Sequence, residues 1–319
     1  MNRMPVLIVG TGALGTLFAA RLAGAGVPVT MLGSWPEGLQ ALRETGVRLA
    51  GADGVIRQYP VGVAEHPAEC LREYRRYGWA GARLALVLVK TWQTEQAAQQ
   101  LEECLSEDGL AVTLQNGLGN IEILAHHLGS ERTALGVTTT GATLLSPGLA
   151  RAGGEGVVSI EEHPRLGPLT EALRAASFNV DVVADARALT WGKLVINAAI
   201  NPLTALLRVP NGELLERPEA RALMGALAHE AAAVASAVGV GLHFDDPARA
   251  AEDVARRTAG NHSSMYQDIQ RGAPTEIDAI CGAVCAHGKQ TGVATPVNWT
   301  MWQLVKAVVG QGQPVRMPA

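Results

Sequence analysis

Four aliphatic residues, Val6-Leu7-Ile8-Val9, run straight into Gly10-Thr11-Gly12-Ala13-Leu14-Gly15, and from Leu14 to Leu22 apolar residues recur at helical spacing. A G-x-G-x-x-G sequence between a strand and a helix marks a βαβ unit built to hold a dinucleotide. Gly10 allows the tight turn, Gly12 lets a pyrophosphate approach the backbone, and Gly15 lets the helix pack closely on the strand. Thr11, Ala13 and Leu14 complete the turn, where unpaired N–H groups at the helix start attract phosphate. The run Val27 to Leu32 supplies the second strand.

The end of that strand selects the cofactor. An NAD site carries Asp or Glu there for the ribose 2′-hydroxyl, and an NADP site an Arg for the 2′-phosphate. Here the chain reads Met31-Leu32-Gly33-Ser34-Trp35, with neither. Ser34 can bond either group, and Arg43 can fold in from the next helix. NADP is favoured because no acid is present to repel a phosphate; NAD stays open. Glu37, the nearest acid, reads as a loop residue.

Further strand-like runs at Leu84 to Val89, Leu110 to Leu114, Ala134 to Thr140 and Val157 to Ile160 are mostly too continuously apolar for a one-sided surface sheet. They predict a parallel sheet covered on both faces. After Val180 to Val183 the pattern changes to Ala- and Leu-rich helices over 186–207, 217–238, 247–257, 275–291 and 299–309, with an irregular tail over 310–319. The chain therefore divides into a Rossmann-type dinucleotide-binding domain, 1–184, and an all-helical substrate and catalytic domain, 185–319, with Asp185 as a candidate cap and the site expected where the two meet.

Composition narrows the partners. The 319 residues are 48% hydrophobic and 18% charged with a net charge of −4, which excludes disorder over most of the chain and gives no electrostatic reason to bind nucleic acid or anionic lipid. The longest weakly charged stretch, 190–207, contains Lys193, Asn197, Asn201 and Pro202, costly in lipid, so no membrane span is expected. Cysteines at 70, 104, 281 and 285 make neither a disulfide framework nor a zinc site, and a reducing cytoplasm is expected. His126-His127 and His229-Glu230 lack the i, i+4 partner of a zinc helix, so no metal is expected. Glu230 reads as an exposed helix residue, though it can also reach the site.

Ligands of open α/β sheets bind at the carboxyl ends of strands. Lys90 and Asn116 sit at two such ends; each also reads as a solvated Lys and as an Asn-Gly turn. The second half holds Trp191-Gly192-Lys193-Leu194-Val195-Ile196-Asn197-Ala198-Ala199-Ile200-Asn201-Pro202. At 3.6 residues per turn, residues 193, 197 and 201 form one polar stripe on an apolar helix. Pro202 predicts a kink or helix end beside it. Reduction of a carbonyl by hydride needs a proton donor at the oxygen, which Lys193 can supply, with Asn197 and Asn201 fixing substrate oxygens. Glu276 opens a later helix and either complements its dipole or orients Lys193 or a substrate hydroxyl; Asp278 competes for the role.

Together with Val89-Lys90-Thr91-Trp92-Gln93, Gln115-Asn116-Gly117, Pro210-Asn211-Gly212-Glu213-Leu214, Ser263-Ser264-Met265 and Thr275-Glu276-Ile277-Asp278, these motifs make the chain resemble the ketopantoate reductase (2-dehydropantoate 2-reductase) family over nearly its whole length. The resemblance implies an α/β fold whose helical domain is like that of 6-phosphogluconate dehydrogenase. It implies NADPH-dependent reduction of ketopantoate to pantoate on the way to pantothenate and coenzyme A. It further implies Lys193 as proton donor and substrate contacts from Asn116, Asn197, Asn201, Asn211 and Ser264. Gly10 to Gly15, Lys90, Asn116, Ala142 and Glu276 then surround the cofactor. The family's basic residue after the second strand is Gly33 or Ser34 here. Arg72-Glu73-Tyr74-Arg75-Arg76-Tyr77 reads as a solvated loop or helix face. Two alternatives stand beside this reading: a reductase of another 2-keto acid, with NAD as an option, and a dinucleotide sensor without turnover, against which the retained Lys193 argues. The oligomeric state is left open, a homodimer included.

Overall fold

The computed structural model describes residues 4–309; the tail beyond Val309 lies outside them. Two compact units result, the first running to Ala186 apart from Asn116–Leu118, and the second combining that short segment with the chain from Arg187 onward.

The first unit comprises β1 (Val6–Val9), α1 (Ala13–Gly24), β2 (Val29–Leu32), α2 (Pro36–Thr45), β3 (Val47–Ala50), β4 (Ile56–Tyr59), β5 (Gly62–Ala64), α3 (Pro67–Arg75), β6 (Ala82–Val87), α4 (Thr94–Cys104), β7 (Leu105–Thr113), α5 (Asn120–Leu128), β8 (Thr133–Thr138), β9 (Ala142–Ser146), β10 (Leu149–Ala152), β11 (Val157–Glu161), α6 (Gly167–Ala175) and β12 (Asn179–Val183). Eight strands form one sheet in the order β12-β11-β8-β7-β6-β1-β2-β5. From β8 to β5 every pair is parallel, as the apolar runs predict for all of these strands but β5, which no run marked. β11 departs from the expected all-parallel sheet: it runs antiparallel to β8, while β12 is parallel to β11. The cause is the connection. A parallel neighbour needs a crossover, and here the chain between β8 and β11 is spent on the β9–β10 hairpin instead.

That hairpin joins β3 and β4 in a second sheet, ordered β4-β3-β10-β9, which the sequence reading did not anticipate. α1 packs against β1 and β2 on one side and against β3, β9 and β10 on the other. Seven of its twelve residues are buried, among them Thr16, Leu17, Phe18, Ala19 and Ala20 in succession. A helix covered from two sides has no solvated face to fill with charge. Glu37 stands in the first turn of α2, not in a loop. Arg72 and Arg75 lie on α3, whose Tyr74 is buried while both arginines are exposed.

The second unit consists of α7 (Arg187–Leu207), α8 (Pro218–Ala237), α9 (Pro247–Arg257), α10 (Ser264–Gln270), a π turn (Asp278–Gly282), α11 (Ala283–Thr291) and α12 (Pro296–Val309). Its core gathers Leu194, Val195, Ala198, Leu203, Met224, Leu227, Ala231, Ile280, Cys281, Val284 and Val305, all essentially inaccessible. α7 continues through Pro202 to Leu207, so the expected helix end does not occur there. Among the described residues no helix is long and apolar enough to cross a membrane.

Glu230 corrects its reading as an exposed residue. On α8 its carboxylate accepts the N–H of Val297 (2.9 Å) and of Asn298 (2.8 Å) and the Nδ2–H of Asn298 (2.9 Å). These N–H groups belong to the first turn of α12, where no helical carbonyl is available. Glu230→Ala is therefore expected to lower stability by about 1 to 3 kcal/mol, with activity of the remaining folded protein unchanged. A melting temperature equal to that of the parent would remove this cap from the account.

Candidate active site

The glycine turn of the first unit has the shape its spacing predicts. Gly10 takes φ +124°, and its N–H donates to Leu32 O (2.8 Å), tying the turn to the end of β2. A Cβ on Gly15 would lie 2.0 Å from Gly10 O, so only glycine lets α1 come this close. Gly12 is different. It is exposed, and a Cβ there would meet no protein atom within 4 Å. The protein's own packing does not require glycine at 12, and the open space beside the N-terminus of α1 leaves room for a phosphate group to approach the backbone. The cradle therefore fits a pyrophosphate.

After β2, Gly33 lies against Thr11 and Ser34 is exposed. Arg43 does not fold in: its guanidinium stands 3.6 Å from Glu65 and 3.8 Å from Glu69, anchored to the start of α3. Ala142 opens β9, on the sheet that flanks α1. Lys90 follows β6, half-buried, immediately before a single 3-10 turn at Thr91–Gln93.

A buried polar network, which motif spacing did not reveal, fixes that strand end. Gln115 donates through Nε2 to Val89 O (3.0 Å) and to Thr94 Oγ1 (2.8 Å), and its Oε1 accepts from Thr113 (2.9 Å). Thr94 donates to Thr91 O (2.9 Å) and lies 2.8 Å from Asn120 Oδ1. The network joins the ends of β6 and β7 to the starts of α4 and α5, and so holds the backbone on either side of Lys90. The only sequence signal was an amide beside the Asn-Gly turn.

In the second unit the polar stripe lies on one continuous helix, with Lys193 and Asn197 half-buried and Asn201 buried. Burial pushes the Lys193 ammonium down from 10.5 to about 8, and the nearby Glu276 carboxylate opposes part of that shift. Glu276 is itself 4% exposed. Asn116 donates through Nδ2 to Glu276 Oε2 (3.2 Å). The Asn-Gly turn explains how a residue so far away in sequence arrives there. Gly117 has φ +77°, a Cβ on it would lie 2.6 Å from Ala279 O, and the Leu118 N–H donates to that same oxygen (3.2 Å). Lys193, Glu276 and Asn116 thus come from three distant segments to one place.

Asp278 does not compete with Glu276. It accepts from Trp302 Nε1 (2.7 Å) and lies 3.3 Å from Lys306 Nζ, turned toward α12. Asn211 is buried, donating through Nδ2 to Thr258 Oγ1 (2.8 Å) and through its N–H to Asn261 O (3.0 Å). Thr258 gives its own proton to Val254 O (2.7 Å), which fixes the orientation of the Asn211 amide, and Asn211 Oδ1 accepts nothing from the described residues. Ser264 begins α10, half-buried. The preceding Ser263 caps that helix at Tyr266 N (3.1 Å) and accepts from Thr204 of α7 (2.7 Å), which sets the loop relative to the stripe. His127 stands between Glu95 (2.8 Å) and Glu102 (3.1 Å), one carboxylate on each ring nitrogen. Among the described residues no group of three or more His, Cys, Asp or Glu could hold a metal ion.

Comparison with known proteins covers both units. The family model described as ketopantoate reductase PanE/ApbA matches residues 6–165, and that for the ketopantoate reductase PanE/ApbA C terminal matches 185–309. A 2-dehydropantoate 2-reductase of Halobacterium salinarum is 35% identical over 97% of this chain and 100% of its own, and one of Archaeoglobus fulgidus is 35% identical over 97% and 99%. Among solved structures, a PanE/ApbA family ketopantoate reductase from Ralstonia eutropha superposes with a TM-score of 0.88 at 31% identity, covering 98% of this chain and 100% of that one. A D-mandelate dehydrogenase in ternary complex with NADH and anilino(oxo)acetate gives 0.88 at 26% identity, covering 97% and 99%.

Proposed function

The chain belongs to the ketopantoate reductase family, and we propose that it reduces 2-dehydropantoate to pantoate with NADPH, a step toward pantothenate in the cytoplasm. The observation that carries the reading is the half-buried Lys193 beside Glu276, an amine whose proton is loosened to about 8. General acids work best with a pKa near the working pH. Residues 1–184 bind the dinucleotide through Gly10 to Gly15, Ser34, Lys90 and Ala142; residues 185–319, with Asn116, bind and protonate the keto acid. Bound NADPH supplies the hydride.

Lys193 Nζ gives its proton to the keto oxygen as alkoxide charge develops, and its positive charge stabilises that oxygen beforehand. Glu276 keeps the ammonium charged against the pull of burial, and Asn116 holds Glu276 by the amide N–H. Asn197, Asn201, Asn211 and Ser264 offer neutral donors and acceptors, which orient a carboxylate or hydroxyl without competing for the proton.

The test is a panel in which oxidation of NADPH and of NADH is followed with 2-dehydropantoate, pyruvate and phenylglyoxylate. Turnover of 2-dehydropantoate with NADPH at the highest kcat/KM is expected; no turnover of any keto acid at high enzyme concentration would overturn the enzyme reading. A second reading, an NADH-dependent reductase of a different 2-keto acid, is favoured by the absence of a basic side chain at 33 and 34 and by the likeness to the mandelate enzyme. The same panel separates the two. Glu276→Gln removes the anion that favours the ammonium, so the alkaline limit of the reduction is expected to move to lower pH. An unmoved limit would detach Glu276 from Lys193.

A further inference from the structure

In a Rossmann unit the adenosine ribose lies beside the residue that follows the second strand. Gly33 stands at that place, and a Cβ on it would lie 2.7 Å from Cγ2 and 3.0 Å from Oγ1 of Thr11. The Thr11 side chain thus fills the space in which any side chain at 33 must begin. Thr11 is 6% exposed, and its β-branched side chain is stiff about χ1. Neither backbone is free to retreat. Gly10 N–H is tied to Leu32 O (2.8 Å), Gly12 O accepts from Thr16 N (2.9 Å), and Gly33 N–H donates to Ala64 O (3.1 Å). The next side chain along is the exposed Ser34, and Arg43 is engaged with Glu65 and Glu69.

We propose that Thr11 is the residue that sets cofactor selectivity in this chain: by closing position 33 to every side chain, it leaves the Ser34 hydroxyl to read the ribose 2′ group. The inference rests on the first unit being the dinucleotide binder. A hydroxyl donates to a 2′-phosphate and exchanges hydrogen bonds with a 2′-hydroxyl equally well in geometry. The bond to the charged partner is the stronger of the two, by about tenfold in affinity. The chain therefore accepts both NADPH and NADH, with NADPH ahead by about tenfold. A guanidinium at 33 would pair a phosphate bidentately and a carboxylate would repel it, and either would discriminate far more steeply.

Fluorescence titration of NADPH and NADH onto the full-length protein, with no keto acid present, tests this independently of turnover. The parent is expected to favour NADPH by less than about thirtyfold, given the hydroxyl's modest preference. Gly33→Arg in the presence of Thr11 is expected to weaken both cofactors, and Thr11→Gly with Gly33→Arg to bind NADPH at least about a hundredfold more tightly than NADH. Gly33→Ala, a milder probe should the arginine variant fold poorly, is expected to weaken both cofactors and to be rescued by Thr11→Gly. Selectivity for NADPH from Gly33→Arg alone, as steep as in the double variant, would overturn the proposal. So would a parent that separates the two cofactors by more than about a hundredfold, beyond what one neutral hydroxyl supplies. Failure of the parent to bind either cofactor would overturn instead the dinucleotide reading on which the proposal stands.

Discussion

Lys193→Ala is expected to lower kcat for the reduction by about 10²- to 10⁴-fold, the usual share of a positioned general acid, while the dissociation constant of the cofactor changes little. The reason is the division of labour. The amine belongs to the second unit, and the cradle proposed for the dinucleotide is built from the turn between β1 and α1. Lys193→Arg separates the two services of the side chain. A guanidinium keeps the charge but does not release a proton near neutrality, so part of the electrostatic stabilisation should survive and proton delivery should not. A kcat in Lys193→Ala equal to that of the parent would remove this residue from the chemistry.

The same group fixes the pH dependence. With the ammonium loosened to about 8, the proposed proton donor is present below that pH and lost above it. Reduction should therefore hold steady below about pH 8 and fall above it. The reverse oxidation needs the neutral amine and should rise with pH and level off above 8. Folding feels the opposite side of this shift. Below pH 8 the ammonium is disfavoured in the folded chain relative to the unfolded one, at a cost of about 3 kcal/mol. Between 8 and 10.5 the unfolded chain holds the extra proton, so the cost fades as pH rises. The site proposed for proton transfer is thus one that burdens the fold.

Local pattern made the β1–α1–β2 unit, the parallel strands other than the three-residue β5, and α7 to α9 legible, because each carries its own period or its own glycine spacing. β3, β4, β9 and β10 were not. They are four or five residues long with mixed polarity, and they become strands only by pairing with one another across about a hundred residues of chain, β3 with β10. α10, seven residues long, likewise owes its start to the Ser263 cap and its contact with Thr204 more than to periodicity. β11 was found but its direction was not, since direction depends on where the intervening hairpin goes.

The candidate site shows the same division. The stripe at 193, 197 and 201 follows from helical spacing alone. That Glu276, and not Asp278, stands with Lys193 does not: both carboxylates open the same segment, two residues apart, and the choice is made by α12, whose Trp302 and Lys306 draw Asp278 away. Asn116 reaches Glu276 only because Gly117 presses against Ala279, a contact between residues 162 positions apart that no local pattern encodes.

Gly12→Ala and Gly15→Ala should both weaken cofactor binding but change stability in opposite directions, although both sit in one six-residue motif. At Gly15 the added carbon meets the Gly10 carbonyl, a backbone atom that cannot swing aside, so α1 must lift from β1. Loss of about 2 to 3 kcal/mol of stability is expected, together with loss of measurable cofactor binding. At Gly12 the backbone is at φ −79°, a conformation alanine adopts freely, and the added carbon meets no protein atom. The protein without cofactor should melt at or slightly above the parent temperature, since alanine narrows the unfolded ensemble by about 0.4 to 1 kcal/mol. Its affinity for NADPH should nevertheless fall by at least about tenfold, because the methyl group stands where the pyrophosphate must approach the backbone. A loss of affinity without a loss of stability, expected at Gly12 alone, is what a bound ligand and not packing requires. A Gly12→Ala protein that binds the dinucleotide as well as the parent does would mean that the phosphates lie elsewhere, and that the turn is a packing device alone.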